Sequence, residues 1–208
     1  MIAKHERGVP IFIDKATWRK LALERRDSLS PQVKASLDAS IVTWIANLPE
    51  GGPRVGPGAV IAAYVPIGSE PGTNAMLEVL REGGFRVLLP KVAAGPPAPL
   101  RWAWYDGPAS LHEGRFGLLE PSGDGASPDA LGDAALILVP ALSVDRHGIR
   151  LGRGAGYYDR SIPEVDTDKL VAVVFDDELV DELPSDHFDV PMGWSLTPGE
   201  GFRRLGTS

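Results

Sequence analysis

The chain contains no cysteine. That absence excludes a disulfide framework, a thiolate nucleophile and a zinc–thiolate centre. No stretch approaches the ~18 consecutive apolar residues that a membrane-spanning helix needs. Met1 to Pro10 carries Lys4, Glu6 and Arg7 without an apolar run. No secretory signal is read there, and the expectation is a cytoplasmic protein with no membrane partner. The P-loop pattern GxxxxGK[ST] is missing, as is the GxSxG elbow of serine hydrolases. The four histidines show no metal-ligand spacing. Basic residues are in deficit, with 21 Lys and Arg against 28 Asp and Glu, and the net charge is -7. A field of that sign argues against a nucleic-acid partner and requires any anion site to be built from local cations.

What is present reads as alternating helices and strands. The length of 208 residues permits one large domain or two small ones, and 43% hydrophobic residues suffice for a core. Asp14 suits the N-cap of a helix running to about Leu29. Ser30-Pro31 then restarts a second helix, a cap residue followed by Pro at the first position. In it Val33, Leu37, Ile41, Trp44 and Leu48 recur at three- or four-residue spacing. Ala59–Val65 reads as a buried strand and Thr73–Arg81 as a helix stopped by Gly83-Gly84. Phe85–Leu89 reads as a strand ended by Pro90. Further strands fit Leu100–Tyr105, Ala134–Val139 and Leu170–Phe175, and one or two helical turns fit Asp177–Leu183. Residues 1–13 are expected to be flexible and the tail after Thr197 to fray. With no repeat and no long linker, residues 1–208 are expected to form one domain. The βαβ-like alternation predicts an α/β layered sandwich with a largely parallel central sheet and two N-terminal helices.

The richest stretch is Asp145 to Arg160, DRHGIRLGRGAGYYDR. Gly152, Gly154 and Gly156 alternate with Arg153 and Ala155, and Asp145, Arg146, Arg150, Arg153 and Asp159 are expected to crowd around them. Glycines let an anion approach backbone N–H groups, and arginines offer planar donor forks to phosphate oxygens. Asp159 suits a magnesium ion beside those phosphates. A Gly-rich junction can also be no more than a tight turn. Elsewhere the local pattern leaves alternatives open. Lys15, Arg19 and Arg26 share one helical face, either solvated or folded over the glycine loop as a phosphate clamp. Glu70 follows a strand, and either accepts from ligand N–H groups or serves as an N-terminal charge for the next helix. Lys91 is an anion contact or a surface lysine. Glu120 is structural or on a pocket rim. Asp186, His187 and Asp189 form a polar cluster in a surface loop or at a site.

The order of these motifs resembles the 5-formyltetrahydrofolate cyclo-ligase family. The resemblance runs from Lys15-Ala16-Thr17-Trp18-Arg19 through Tyr64–Thr73, Leu89-Pro90-Lys91 and Gly117-Leu118-Leu119-Glu120-Pro121. It is strongest over Val139-Pro140-Ala141-Leu142 and Asp145–Arg160, and it closes with Leu183-Pro184, His187, Asp189 and Thr197. It implies a scaffold similar to sugar-phosphate isomerases and CoA transferases. It also implies a monomer that uses ATP and magnesium to close 5-formyltetrahydrofolate into 5,10-methenyltetrahydrofolate, releasing ADP and phosphate through a phosphorylated formyl oxygen. By the same resemblance Lys15, Arg19 and the loop Arg150, Leu151, Gly152, Arg153, Gly154, Ala155, Gly156, Tyr157 and Tyr158 hold ATP. Val65, Glu70, Arg153, Gly154 and Tyr157 border the folate. Arg153 and Tyr157 are the expected catalytic residues, and Asp159 and Asp189 the expected magnesium ligands. The sequence departs from the family pattern at Ala155, often glycine or lysine, and at Gly193, usually a second aspartate. Gly193 keeps open an ATP- or folate-binding regulatory protein without efficient turnover. A third reading, a sugar-phosphate isomerase, would not bind ATP.

Overall fold

In a computed structural model the described residues are 13–48, 52–114, 117, 119–123, 125–126 and 128–206. The expectation for residues 1–12 lies outside them. Both N-terminal helices begin where their cap signals stand. Helix α1 spans Lys15–Asp27, and the Asp14 carboxylate accepts from the Thr17 N–H. Helix α2 spans Pro31–Ala46, with the Ser30 hydroxyl accepting from the Val33 N–H at 3.3 Å and Pro31 at the first turn. These caps satisfy N–H groups that the first turn leaves without partners. Ser30→Ala is expected to cost about 1 kcal/mol, read as a lower midpoint in urea unfolding with an unchanged slope.

The central sheet of the described residues has seven strands: β1 (Val60–Ala62), β2 (Arg86–Lys91), β3 (Arg101–Tyr105), β6 (Ala134–Pro140), β9 (Leu170–Val173), β11 (Trp194–Thr197) and β12 (Gly201–Arg204), in the order β12-β11-β9-β6-β1-β2-β3. The inner strands are parallel, and the edge strands β3 and β12 pair antiparallel. Strands such as Leu136-Ile137-Leu138-Val139 are buried on both faces, which explains their unbroken apolar runs. On one face α2 and α3 (Ala75–Glu82) contribute Ile41, Ile45, Met76, Leu77 and Leu80. The other face buries Trp102, Ile162, Met192 and Leu205. Helix α1 packs instead on a small sheet of β7 (Ser143–Asp145), β8 (Arg150–Leu151) and β10 (Leu179–Val180). There Ala22 meets Leu142, Leu151 and Leu183. A further hairpin pairs β4 (Leu111–Glu113) with β5 (Leu119–Pro121).

Four expectations need correction. Pro90 does not end its strand, because only β3 lies alongside there and Pro90 pairs with Trp102 beyond the reach of β1. The first strand is shorter than Ala59–Val65. Asp177–Leu183 is not helical: a 3-10 turn at Asp176–Glu178 leads into β10, held by the buried Glu178 carboxylate. The tail after Thr197 does not fray up to Gly206. Gly201, at φ 70°, turns the chain into β12, and Phe202 and Leu205 are buried.

Candidate active site

From β1 the chain goes by α3 to β2 on one side, while β6 and β9 lie on the other. The carboxyl ends of β1 and β6 therefore flank a topological switch point, where open α/β sheets form ligand crevices. A cavity of about 1110 Å³ opens there, reaching Tyr64 and Val65 after β1, Pro90 and Val92 at the end of β2, and Pro140 at the end of β6. Single small-molecule sites commonly occupy roughly 300–1,000 Å³, so this cavity has room for two ligands.

One end is the glycine loop. It does not follow β6 directly, because the β7–β8 hairpin intervenes. The loop runs from Gly152 to the left-handed Gly156 (φ 66°), which opens the short helix α4 (Tyr157–Ser161). The left-handed Gly154 and Gly156 (φ 102° and 66°) suit glycine by backbone, and guanidinium groups crowd the loop. A Cβ at Gly152 would lie 2.6 Å from the Arg150 guanidinium, and one at Gly156 2.6 Å from that of Arg160. Arg150 is nearly buried, and its Nη2 donates to Asp159 Oδ1 at 2.6 Å. Leu151 points into the small core beneath α1. The Tyr158 ring meets Trp102 edge-on, and its hydroxyl is buried without a partner among the described residues. Burial, reinforced by the charge of Glu70, holds that phenol well above the ordinary tyrosine range.

Helix α1 does fold over this loop. Arg19 Nε donates to Gly152 O at 3.0 Å, and its guanidinium stands 3.4 Å from where a Cβ of Gly154 would be. Lys15, one turn earlier, donates to both oxygens of Asp189 at 2.9 and 2.7 Å and to Asp186 at 2.8 Å. Burial works against the Lys15 charge, but the Asp186 and Asp189 hydrogen bonds outweigh it, and its pKa lies above the ordinary lysine value. The polar cluster is thus part of the cavity wall, with His187 stacked on the exposed Phe188. Arg26, on the same helical face, is not at the cavity. It is buried against Glu178 at 2.6 and 2.7 Å and donates to Ala141 O. Burial pushes the Glu178 carboxyl up despite the opposing pull of Arg26.

The other end is formed by the 65–72 segment and an apolar wall. The Tyr64 hydroxyl donates to Pro71 O, and the buried Asp38 accepts from Gly72 N–H, which fixes the segment from α2. Glu70 is 5% exposed and faces the cavity rather than serving α3. Its Oε2 accepts from Ile67 N–H at 3.1 Å, and its Oε1 accepts from Arg153 Nε at 3.0 Å. This ion pair bridges the cavity from the glycine loop to the 65–72 segment. Ala155, Tyr157 and Val65 also line the cavity.

Three expected neighbours are elsewhere. Asp145 is buried and accepts from the N–H groups of His147, Ile149 and Leu183, which shapes the β7–β8 turn. Arg146 pairs with Asp181 on the surface. Lys91 donates to Gly123 O and is not on the cavity wall. Gly193 is also outside the wall. Its N–H donates to Thr167 O, and a Cβ there would lie 2.2 Å from that oxygen. Sequence reasoning did not assign Tyr64, Val92, Leu100 or Arg160 to the site, although all four line the cavity. Strand ends were the available signal for Tyr64 and Val92.

The fold and site define an α/β protein whose cationic glycine loop faces a carboxylate-bearing wall across one cavity. Residues 13–198 match the model of the 5-formyltetrahydrofolate cyclo-ligase family, and the chain belongs to that family. It is 44% identical over 195 residues to a 5-formyltetrahydrofolate cyclo-ligase of Mycolicibacterium smegmatis, covering 92% of this chain and 97% of that one. The Escherichia coli protein of the same name is 26% identical over 179 residues, covering 85% and 96% of the two chains. The structure of Aquifex aeolicus 5,10-methenyltetrahydrofolate synthetase superposes with a TM-score of 0.74 at 30% identity, covering 93% and 94% of the chains. A synthetase from Mycoplasma pneumoniae shares the fold, with a TM-score of 0.69 at 21% identity, over 89% and 99% of the chains.

Proposed function

We propose that this chain closes 5-formyltetrahydrofolate to 5,10-methenyltetrahydrofolate at the expense of ATP, releasing ADP and phosphate. The observation that carries the reading is one cavity with a phosphate-type loop at one end and a donor-seeking carboxylate at the other. Family membership supplies the reaction. The formyl oxygen takes the γ-phosphoryl group, N10 attacks the activated carbon and loses its proton, and phosphate departs.

In this reading Lys15, Arg19 and the loop Arg150–Tyr158 hold the ATP phosphates. Arg153 and Tyr157 stand between the two substrates. Val65 and Glu70 border the pterin, with Arg153, Gly154 and Tyr157 completing that side. Glu70 has accepted two hydrogen bonds, and a carboxylate has about four acceptor positions, so ring N–H groups can still be received. No side chain is needed as a covalent nucleophile. Aligning the formyl oxygen, the phosphoryl group and N10 supplies proximity, and the cations stabilise the transferring charge.

Magnesium, when bound, would neutralise charge on the triphosphate. Asp159 fits a share in holding it, because Arg150 occupies only its Oδ1 among the described residues. Magnesium commonly takes one or two carboxylates plus phosphate oxygens. Asp189 fits only after Lys15 lets go, since both of its oxygens are engaged. The same reading takes the chain as one domain on a scaffold related to sugar-phosphate isomerases and CoA transferases. It acts as a cytoplasmic monomer with no nucleic-acid or membrane partner. No helix among the described residues is long and apolar enough to cross a membrane.

The test is the absorbance of methenyltetrahydrofolate formed from 5-formyltetrahydrofolate, with and without ATP and magnesium. A signal that needs all three is expected. A folded protein that binds ATP and gives no signal would instead be the regulatory protein. A second expectation concerns Glu70→Gln, which should raise the folate KM more than the ATP KM in steady-state kinetics. The reverse order would remove Glu70 from the folate side.

A further inference from the structure

Glu120 is a buried carboxylate that the reading above leaves without a task. It is 7% exposed, sits on β5 and lines the same cavity with Pro90, Val92, Leu100 and Leu119. Its Oε1 accepts from the Val92 N–H at 3.0 Å. No cation pairs with it among the described residues. Gly114, just after β4, leaves room for it: a Cβ there would lie 2.7 Å from Oε2. Among the described residues one backbone N–H donates to this carboxylate, and a ligand that brings further donors lowers the cost of burying its charge. Glu70 is differently placed, with one oxygen committed to Arg153 and the other to Ile67 N–H. Tyr158 lines this cavity too, and its buried hydroxyl has no partner among the described residues.

We infer that Glu120 is a specificity-determining residue for the folate, its carboxylate accepting from the 2-amino and ring N–H donors of the pterin. The inference rests on the proposed function for the identity of the ligand. The chemistry follows from the donor count. A 2-amino-4-oxo pyrimidine edge presents adjacent N–H groups, and an ionised carboxylate is acceptor-only. The apolar neighbours Val92, Leu100 and Leu119 suit the flat faces of the ring and strengthen the polar contact by excluding water. Adenine also carries an amino group, and the ATP-binding arm of the test separates the two sources.

The test is equilibrium binding of 5-formyltetrahydrofolate, and of its analogue lacking the 2-amino group, to the wild type and to Glu120→Gln. Glutamine keeps an acceptor for Val92 N–H and nearly the same volume. The variant should lose about tenfold or more in affinity for 5-formyltetrahydrofolate, the size expected for a charge-assisted hydrogen bond. It should discriminate less between folate and analogue, bind ATP within about twofold of wild type, the scatter of an uninvolved side chain, and keep its unfolding midpoint. Unchanged folate affinity, or equal losses for folate and analogue, would leave Glu120 as a brace for Val92 and overturn the inference. If the wild type binds folate but does not turn it over, the cyclo-ligase reading fails while the inference stands. If the wild type binds no folate, both fail.

Discussion

Arg153→Ala is expected to lose at least about 10²-fold in cyclisation rate, the scale set by removing one preorganised charge-stabilising donor, and to keep its fold. Arg153 belongs to neither core face, and its side chain is 45% exposed. Among the described residues its hydrogen-bond partner is Glu70, so truncation removes one partly solvated ion pair and little packing. The unfolding midpoint should stay within about 4 °C of wild type, the shift of roughly 1 kcal/mol in a chain of this size. The chemistry loses far more. Charge spreads over the equatorial oxygens of a transferring phosphoryl group, and on the proposed reading the Arg153 guanidinium stabilises that state more than the ground state. Single-turnover kinetics at saturating substrates would read the effect directly. A variant that cyclises at a near-native rate would remove Arg153 from the phosphate.

The second large effect is on stability. Gly193→Asp restores the aspartate that the family pattern usually carries, yet it should destabilise the protein by about 3 kcal/mol, the upper end of ordinary overpacking costs. The obstacle is backbone, not a flexible side chain. A Cβ at position 193 would lie 2.2 Å from Thr167 O and 2.8 Å from its carbonyl carbon. Gly193 is also tied on both sides, donating to Thr167 O and accepting from Leu205 N–H. Relief requires the turn at Asp166–Lys169 or the start of β11 to move. Thermal unfolding should show a midpoint lower by roughly 6–12 °C, with no gain in magnesium affinity by calorimetry. A midpoint equal to wild type would mean that the Thr167 carbonyl retreats freely and that the aspartate position remains open to the metal.

Much of the fold was legible because its signals are local. Asp14 and Ser30 mark helix starts, since a short polar side chain can reach the N–H three residues on. Buried strands show as unbroken apolar runs. The two C-terminal strands were less legible. Trp194–Thr197 and Gly201–Arg204 are short, and burial of Phe202 depends on a sheet that local pattern does not reveal. The glycine loop was found by its composition, but only some of its neighbours in sequence are its neighbours in space. The β7–β8 hairpin turns Asp145 and Arg146 away, while Arg150 and Arg160 stay beside the loop and Arg19 joins them from α1. The basic stripe of α1 splits along its length: Lys15 and Arg19 reach the cavity, whereas Arg26 is neither solvated nor at the loop but buried on Glu178. Contacts such as Lys15 with Asp189 join residues at opposite ends of the chain, and no periodicity encodes them.

The Arg153–Glu70 bridge has a thermodynamic corollary. On the proposed reading both substrates approach this bridge, and a substrate that draws one group out of the pair leaves the other available. A folate that draws on Glu70 frees the guanidinium for phosphate, and a nucleotide that draws on Arg153 frees the carboxylate for the ring. The two affinities are therefore linked, and linkage of binding free energies is reciprocal: whatever factor one substrate gains from the other, it must return. The pair holds the two charges together, and on this reading the first substrate to arrive prepares the place of the second.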